Sequence, residues 1–153
     1  MKVRTLMYAL VLCTAGTLIC SAQDSNLGTW KLNEAKSQIP TGSMKNTTVV
    51  YAAQGDKIKV TTDGTRDGKP IHTEWVGRFD GKDYPLTGDS TTSARTYTKV
   101  NDRTLNMANK MGGKVTNSGT ITVSPDGKTR VLKVSGTDAS GKKVSSTMFY
   151  DKQ

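Results

Sequence analysis

From residue 27 onward the chain repeats one theme, a short run in which apolar and polar side chains alternate, followed by a few residues that favour reversal. The clearest run is Ile71-His72-Thr73-Glu74-Trp75-Val76-Gly77-Arg78-Phe79. On an extended chain Ile71, Thr73, Trp75, Gly77 and Phe79 share one face, while His72, Glu74 and Arg78 share the other, with Val76 the exception. One buried and one wet face is the pattern of an antiparallel sheet packed on one side. Similar runs are predicted at 27–32, 47–53, 57–62, 94–100, 105–111, 115–123, 129–137 and 143–150. The separators include Gln54-Gly55-Asp56, Asp67-Gly68, Asp80-Gly81, Asn101-Asp102, Gly112-Gly113, Ser124-Pro125-Asp126-Gly127 and Asp138-Ala139-Ser140-Gly141. Each is turn chemistry: Gly and Asn tolerate positive φ, Pro presets φ, and Asp bonds its local backbone.

Two segments lack this rhythm. Residues 33–46 carry Ile39-Pro40-Thr41-Gly42 without apolar residues at helical spacing, and Tyr84-Pro85-Leu86 leads into a polar stretch ending near Thr92. Both are predicted to be loops. About nine strands with no convincing helix predict an all-β chain, and short connections favour a single antiparallel up-and-down β-barrel of about eight to ten strands. Alternation turns Trp30, Tyr51, Ile58, Val60, Ile71, Trp75, Phe79, Tyr97, Leu105, Met107, Val115, Ile121, Val123, Leu132, Val134, Val144, Met148 and Tyr150 inward.

The first 22 residues read differently. Lys2 and Arg4 precede a mostly apolar run over 6–19, and Cys20-Ser21-Ala22 ends in a small residue before a polar stretch. This is the plan of a secretory signal peptide cut after Ala22, and the apolar run is short for a retained membrane span. Residues 23–153 then form one domain in a secreted or periplasmic protein. Both cysteines, Cys13 and Cys20, fall in the leader, so the domain depends on packing and strand pairing rather than disulfides.

The whole chain carries a net charge of +9. Without Lys2 and Arg4, 20 basic residues face 13 acidic ones, leaving about +7. Only Lys142-Lys143 are adjacent, whereas nucleic-acid binders concentrate basic residues in a stripe with stacking aromatics, so no nucleic-acid partner is expected.

Catalytic signals are lacking. His72 is the single histidine and lies on the polar face beside Glu74, without the partners of a nucleophile–base set or a metal site. Asp63 and Asp67 flank a glycine turn, but not at the spacing of a calcium loop. The remaining acids sit mainly in turns, and nothing pairs Glu34 with Glu74. Neither enzymatic activity nor a metal or other cofactor is expected.

Gly28-Thr29-Trp30, continued by Lys31-Leu32, resembles the opening strand of the lipocalin and fatty-acid-binding-protein (calycin) superfamily, including small secreted bacterial lipocalin-like proteins. The resemblance implies a barrel closed at one end by Trp30 and a cavity for a small apolar molecule. It also implies a carboxylate-holding Arg-x-Tyr on the last strand; here Met148-Phe149-Tyr150 keeps the tyrosine but not the arginine. The two lid helices of fatty-acid-binding proteins have no counterpart in 33–46, and the lipocalin Thr-Asp-x-x-Tyr is absent, since Thr62-Asp63 is followed by Arg66.

Polar residues in phase with apolar ones mark a candidate site. Arg95 shares a face with Tyr97, and Asn109 and Asn117 are in phase with Met107 and Val115. Buried polar groups need partners, which a ligand head group can supply. Arg95, Tyr97, Asn109, Tyr150 and Trp75 are therefore the predicted ligand-binding set, with Gly28 and Trp30 structural. Two functions follow: an exported binder of a lipophilic or amphipathic small molecule, or a solid-core envelope or extracellular module whose basic surface meets anionic lipid head groups or polysaccharide. Asn46-Thr47-Thr48 would also be a glycosylation site in a eukaryotic secretory pathway.

Overall fold

The computed structural model describes residues 24–137 and 140–153. The leader predicted over 1–22 lies outside the described residues, as does part of the turn predicted at 138–141. The described chain forms ten antiparallel strands: β1 (Gly28–Leu32), β2 (Lys45–Gln54), β3 (Lys57–Arg66), β4 (Lys69–Gly77), β5 (Tyr84–Thr87), β6 (Ala94–Asn101), β7 (Thr104–Met111), β8 (Lys114–Val123), β9 (Thr129–Thr137) and β10 (Lys143–Lys152). Each pairs with its neighbours in sequence, and β1 pairs with both β2 and β10, closing an up-and-down barrel. Closure leaves no exposed sheet edge.

The predicted faces hold on β4. Thr73, Trp75 and Gly77 are buried while His72 and Arg78 are exposed. Strand β5 is the element that the pattern did not reveal. It pairs with β4 only through Glu74↔Thr87 and Trp75↔Leu86, and with β6 only through Tyr84↔Arg95 and Pro85↔Ala94. Pro85 has no N–H for a ladder, so a strand containing it reads as a loop; here it contributes through Leu86, which is buried. In the 33–46 segment, Glu34–Lys36 makes a single 3-10 turn, and the Asn33 side chain caps it by accepting from the Lys36 N–H.

Two β-bulges change which residues face inward. The β2–β3 register slips between Asn46 and Thr48, leaving Thr47 extra, and Asn46 joins Val49 and Tyr51 on the inner face. The β7–β8 register slips between Asn109 and Lys110, leaving Thr116 extra. Asn117 therefore points inward, but Val115 does not. Val115 is 58% exposed, which corrects the inward assignment made from strict alternation.

The two ends of the barrel differ. At one end Trp30 is fully buried, its indole N–H donating to the Asn26 carbonyl at 2.8 Å, with the segment from Asp24 to Leu27 folded beneath it. Gly28 has φ +118, and a Cβ there would lie 2.8 Å from the Lys152 side chain, so only glycine fits without adjustment. Trp75 stacks on Phe79 at 6.3 Å and meets Tyr84 and Tyr97 edge-on, filling the space beyond Trp30. This half is solid. The other half is not.

Candidate ligand cavity

A cavity of about 600 Å³ occupies the half of the barrel opposite Trp30. Its mouth lies among the connections β1–β2, β3–β4 and β5–β6, represented by Gly42, Asp67 and Thr91. Asn46, Thr62, Arg95, Asn109, Asn117 and Arg130 form a polar part of its wall, and the apolar part comes from Val49, Met107, Ile121, Leu132, Val134 and Met148, contributed by five strands. These residues alternate with outward-facing polar ones, which is how an amphipathic strand sequence generates an apolar interior.

Three of the predicted site residues, Arg95, Tyr97 and Asn109, line this cavity together. The Arg95 Nε donates to Asn109 Oδ1 at 2.6 Å, its Nη1 donates to the Tyr97 hydroxyl at 3.3 Å, and Asn109 Nδ2 donates to Asn117 Oδ1 at 2.9 Å. The cross-strand registers Arg95↔Asn109 and Asn109↔Asn117 produce this row across β6, β7 and β8. The other two are placed differently. Trp75 is not part of the wall; it supports the site from beneath, donating from its indole N–H to the Arg95 carbonyl at 3.0 Å. Tyr150 is fully buried, with its hydroxyl 3.3 Å from the Met148 sulfur, and it too lies behind the wall.

Arg130 is the functional candidate that sequence reading missed. It lines the cavity although only 2% exposed, and its guanidinium carbon sits over three rings: Trp30 at 4.9 Å, Tyr51 at 4.9 Å and Tyr150 at 4.7 Å. Its Nε and Nη1 have no hydrogen-bond partner. Among the described residues no carboxylate lies within ion-pair distance of Arg95 or Arg130. Burying an unpaired ion costs several kcal/mol, and desolvated cation–π contacts return about 2 kcal/mol each, so the three rings offset much of the cost but leave two donors unused. A signal was present in the sequence: Arg130 is in phase with Leu132 and Val134, both assigned to the interior. The Tyr150 register partner on β9 is Arg130, so an arginine faces this tyrosine from the neighbouring strand.

Burial acts on the tyrosines around this charge. It raises the Tyr51 hydroxyl above its ordinary range, and Tyr97 beside it adds to the shift. Tyr150 is pushed up to about 12 by burial, with Arg130 and the Asn46 amide opposing. Both phenols are therefore neutral at physiological pH, and they cannot serve as counter-ions to Arg130. The Asn46 Oδ1 is buried and also without a partner, and its side chain faces the cavity rather than solvent.

At the mouth, Arg66 makes a two-pronged ion pair with Asp89, at 2.9 and 3.1 Å, and its second prong also reaches the Met44 sulfur at 3.7 Å. The Asp89 side chain is only 3% exposed. Burial alone would raise its pKa, but the Arg66 bonds and two more from Thr91 outweigh it and hold the carboxyl down to about 2. This latch ties the β1–β2 and β5–β6 connections to the end of β3.

His72 lies outside the barrel, its Nδ1 at 2.7 Å from Asp63 Oδ1 and its Nε2 at 3.8 Å from Glu74, with the Asp63 hydrogen bond raising its pKa. Among the described residues no group of three or more metal-ligating side chains converges. No protein-family model and no curated protein sequence matches this chain.

Proposed function

We propose that the chain is an exported, non-enzymatic binding protein of calycin-like character, which holds a small lipophilic or amphipathic molecule inside its barrel. The observation that carries this reading is the cavity. About 600 Å³ falls in the range of small-molecule sites, which are typically apolar with a few placed polar groups. The Gly28-Thr29-Trp30 opening and the closed ten-strand barrel support the calycin-like part, and the leader pattern supports export to the periplasm or outside the cell. A solid-core module that works through its basic surface would have no use for such a space.

Native mass spectrometry of protein purified from its own host is the direct test, with a co-purifying small molecule expected at one per chain. Titration with an environment-sensitive lipophilic fluorophore provides a second measurement. Saturable one-to-one binding is expected, and it should be abolished when Ile121→Trp fills the cavity of a still-folded barrel. Absence of any saturable binding, or binding indifferent to the filled cavity, would reject the reading.

A further inference from the structure

We propose that the outer face of β7 to β10 carries a docking groove for an acidic polysaccharide, a chain of linked sugars bearing carboxylate or sulfate groups. The groove lies on the outside of the barrel, so this inference is independent of the cavity reading.

Cross-strand register builds the groove. Ala108↔Ser118, Ser118↔Ser135 and Ser135↔Ser145 line up one row of small side chains across four strands. Beside it, Asn106↔Thr120, Thr120↔Lys133 and Lys133↔Thr147 line up a second row of longer ones. The small row sinks below the taller one, leaving a groove of about 690 Å³. Crossing four strands at the usual spacing gives it a length of about 14 Å. Ser118, Ser135 and Ser145 are exposed, and their hydroxyls make no hydrogen bond to other described residues. Each hydroxyl both donates and accepts, which matches the hydroxyls of a sugar. No aromatic side chain lines the groove, so it lacks the stacking platform that single-stranded nucleic acid uses. Its two large apolar residues, Met107 and Val134, turn into the barrel, so neither projects outward to enter a lipid surface.

Charge is a second, independent observation. From 104 to 152 the sequence has eight basic residues against three acidic ones, a net +5 out of about +7 for residues 23–153. Two of those acids stand away from the groove, Asp126 bonded to Ser124 in the β8–β9 turn and Asp151 bonded to Asn33. The third, Asp138, lies outside the described residues. Ion pairs gather on the other walls, such as Lys59 with Glu74 and Arg78 with Asp56, and Lys110 at the edge of this face turns to Asp83. Among the described residues, Lys133 in the groove and Lys143, two residues from Ser145 on the same side of β10, are exposed and make no ion pair. Unneutralised ammonium groups beside a floor of free hydroxyls are complementary to a polymer that is both hydroxylated and negatively charged. Lysine, a point charge on a flexible stem, can follow such a chain without fixing one register.

The test titrates the protein with oligogalacturonate and with its methyl ester, which keeps the sugar chain and removes the charge, while backbone amides are followed by NMR. The acid is expected to bind at low ionic strength, to shift the amides of Ser118, Ser135 and Ser145, and to weaken as salt is added. The ester should bind about tenfold more weakly or not at all, and Lys133→Gln combined with Lys143→Gln should lower affinity for the acid by about tenfold. Lys57→Gln combined with Lys82→Gln removes the same charge from elsewhere on the barrel and should leave affinity within about twofold. All four lysines are exposed, so both double variants keep the fold. Equal binding of acid and ester would overturn the acidic assignment. Equal loss in the two double variants, or amide shifts confined to other strands, would overturn the groove. Displacement of the glycan by phosphatidylglycerol vesicles or by a single-stranded oligodeoxynucleotide at equal charge concentration would overturn the choice of partner. Absence of binding by oligogalacturonate would overturn the proposal outright. The cavity reading is unaffected by any of these outcomes, because the lipophilic fluorophore reports on it separately.

Discussion

Trp30 and Arg130 touch each other, yet their removal should affect stability in opposite ways. Trp30 has no exposed surface and its N–H is bonded to Asn26, so Trp30→Ala leaves a large void and an unpaired buried carbonyl. We expect it to cost about 3–5 kcal/mol in urea denaturation. A protein of undiminished stability would count against Trp30 as the plug of the barrel. Arg130→Met removes a buried unpaired charge and keeps most of its volume, and it is expected to leave stability within about 1 kcal/mol of the original or to raise it. A large loss would mean that the three cation–π contacts outweigh the desolvation of the ion. Trp30 and Gly28 were legible as structural residues because a bulky aromatic in phase with the core and a glycine at the start of a strand have few other uses. Arg130 was less visible, because an arginine between Thr129 and Val131 looks like any charged strand residue until its phase with Leu132 is given weight.

Among the elements, alternation located nine of the ten strands, and its failures have specific causes. A bulge inserts one residue without any marker in composition, and every side chain beyond it changes face. That is how Asn46 came to face the cavity and Val115 the solvent. Gly64 shows how tightly the first bulge is held: a Cβ there would stand 2.2 Å from the Lys45 carbonyl oxygen. Gly64→Ala is expected to destabilise by roughly 1–3 kcal/mol through backbone displacement, and a neutral effect on the denaturation midpoint would show that the bulge is loosely held. Strand β5 escaped notice because it is short, contains Pro85 and pairs through two positions on each side. Hydrogen exchange should therefore be faster at Leu86 and Thr87 than at the centre of β8 and β9, where Asn117↔Gly136 through Val123↔Arg130 form seven consecutive pairs. Equal protection would indicate that β5 is an integral part of the sheet rather than its weakest seam.

For the whole molecule, acid is the informative variable. Asp89 titrates near 2 in the folded chain against an ordinary 3.8. Its contribution to stability is therefore fully present above pH about 4 and is lost as pH falls toward 2, a difference of about 2 kcal/mol. Asp89→Asn should flatten the dependence of the urea midpoint on pH in that window, and an unchanged slope would mean that the Arg66 latch does not contribute to global stability. Local periodicity and turn chemistry, both readable along the chain, are enough for the all-β class, the up-and-down order and the faces of most strands. They also mark Arg95, Tyr97 and Asn109, since a polar side chain in phase with a core is visible along a single strand. Three-dimensional packing makes the barrel solid around Trp75 and hollow above Tyr97, sets Trp75 and Tyr150 behind the cavity wall, and brings Arg130 against rings from β1, β2 and β10. Those facts depend on register across strands far apart in sequence and on how side-chain volumes fill the barrel, neither of which a periodic pattern along one strand contains.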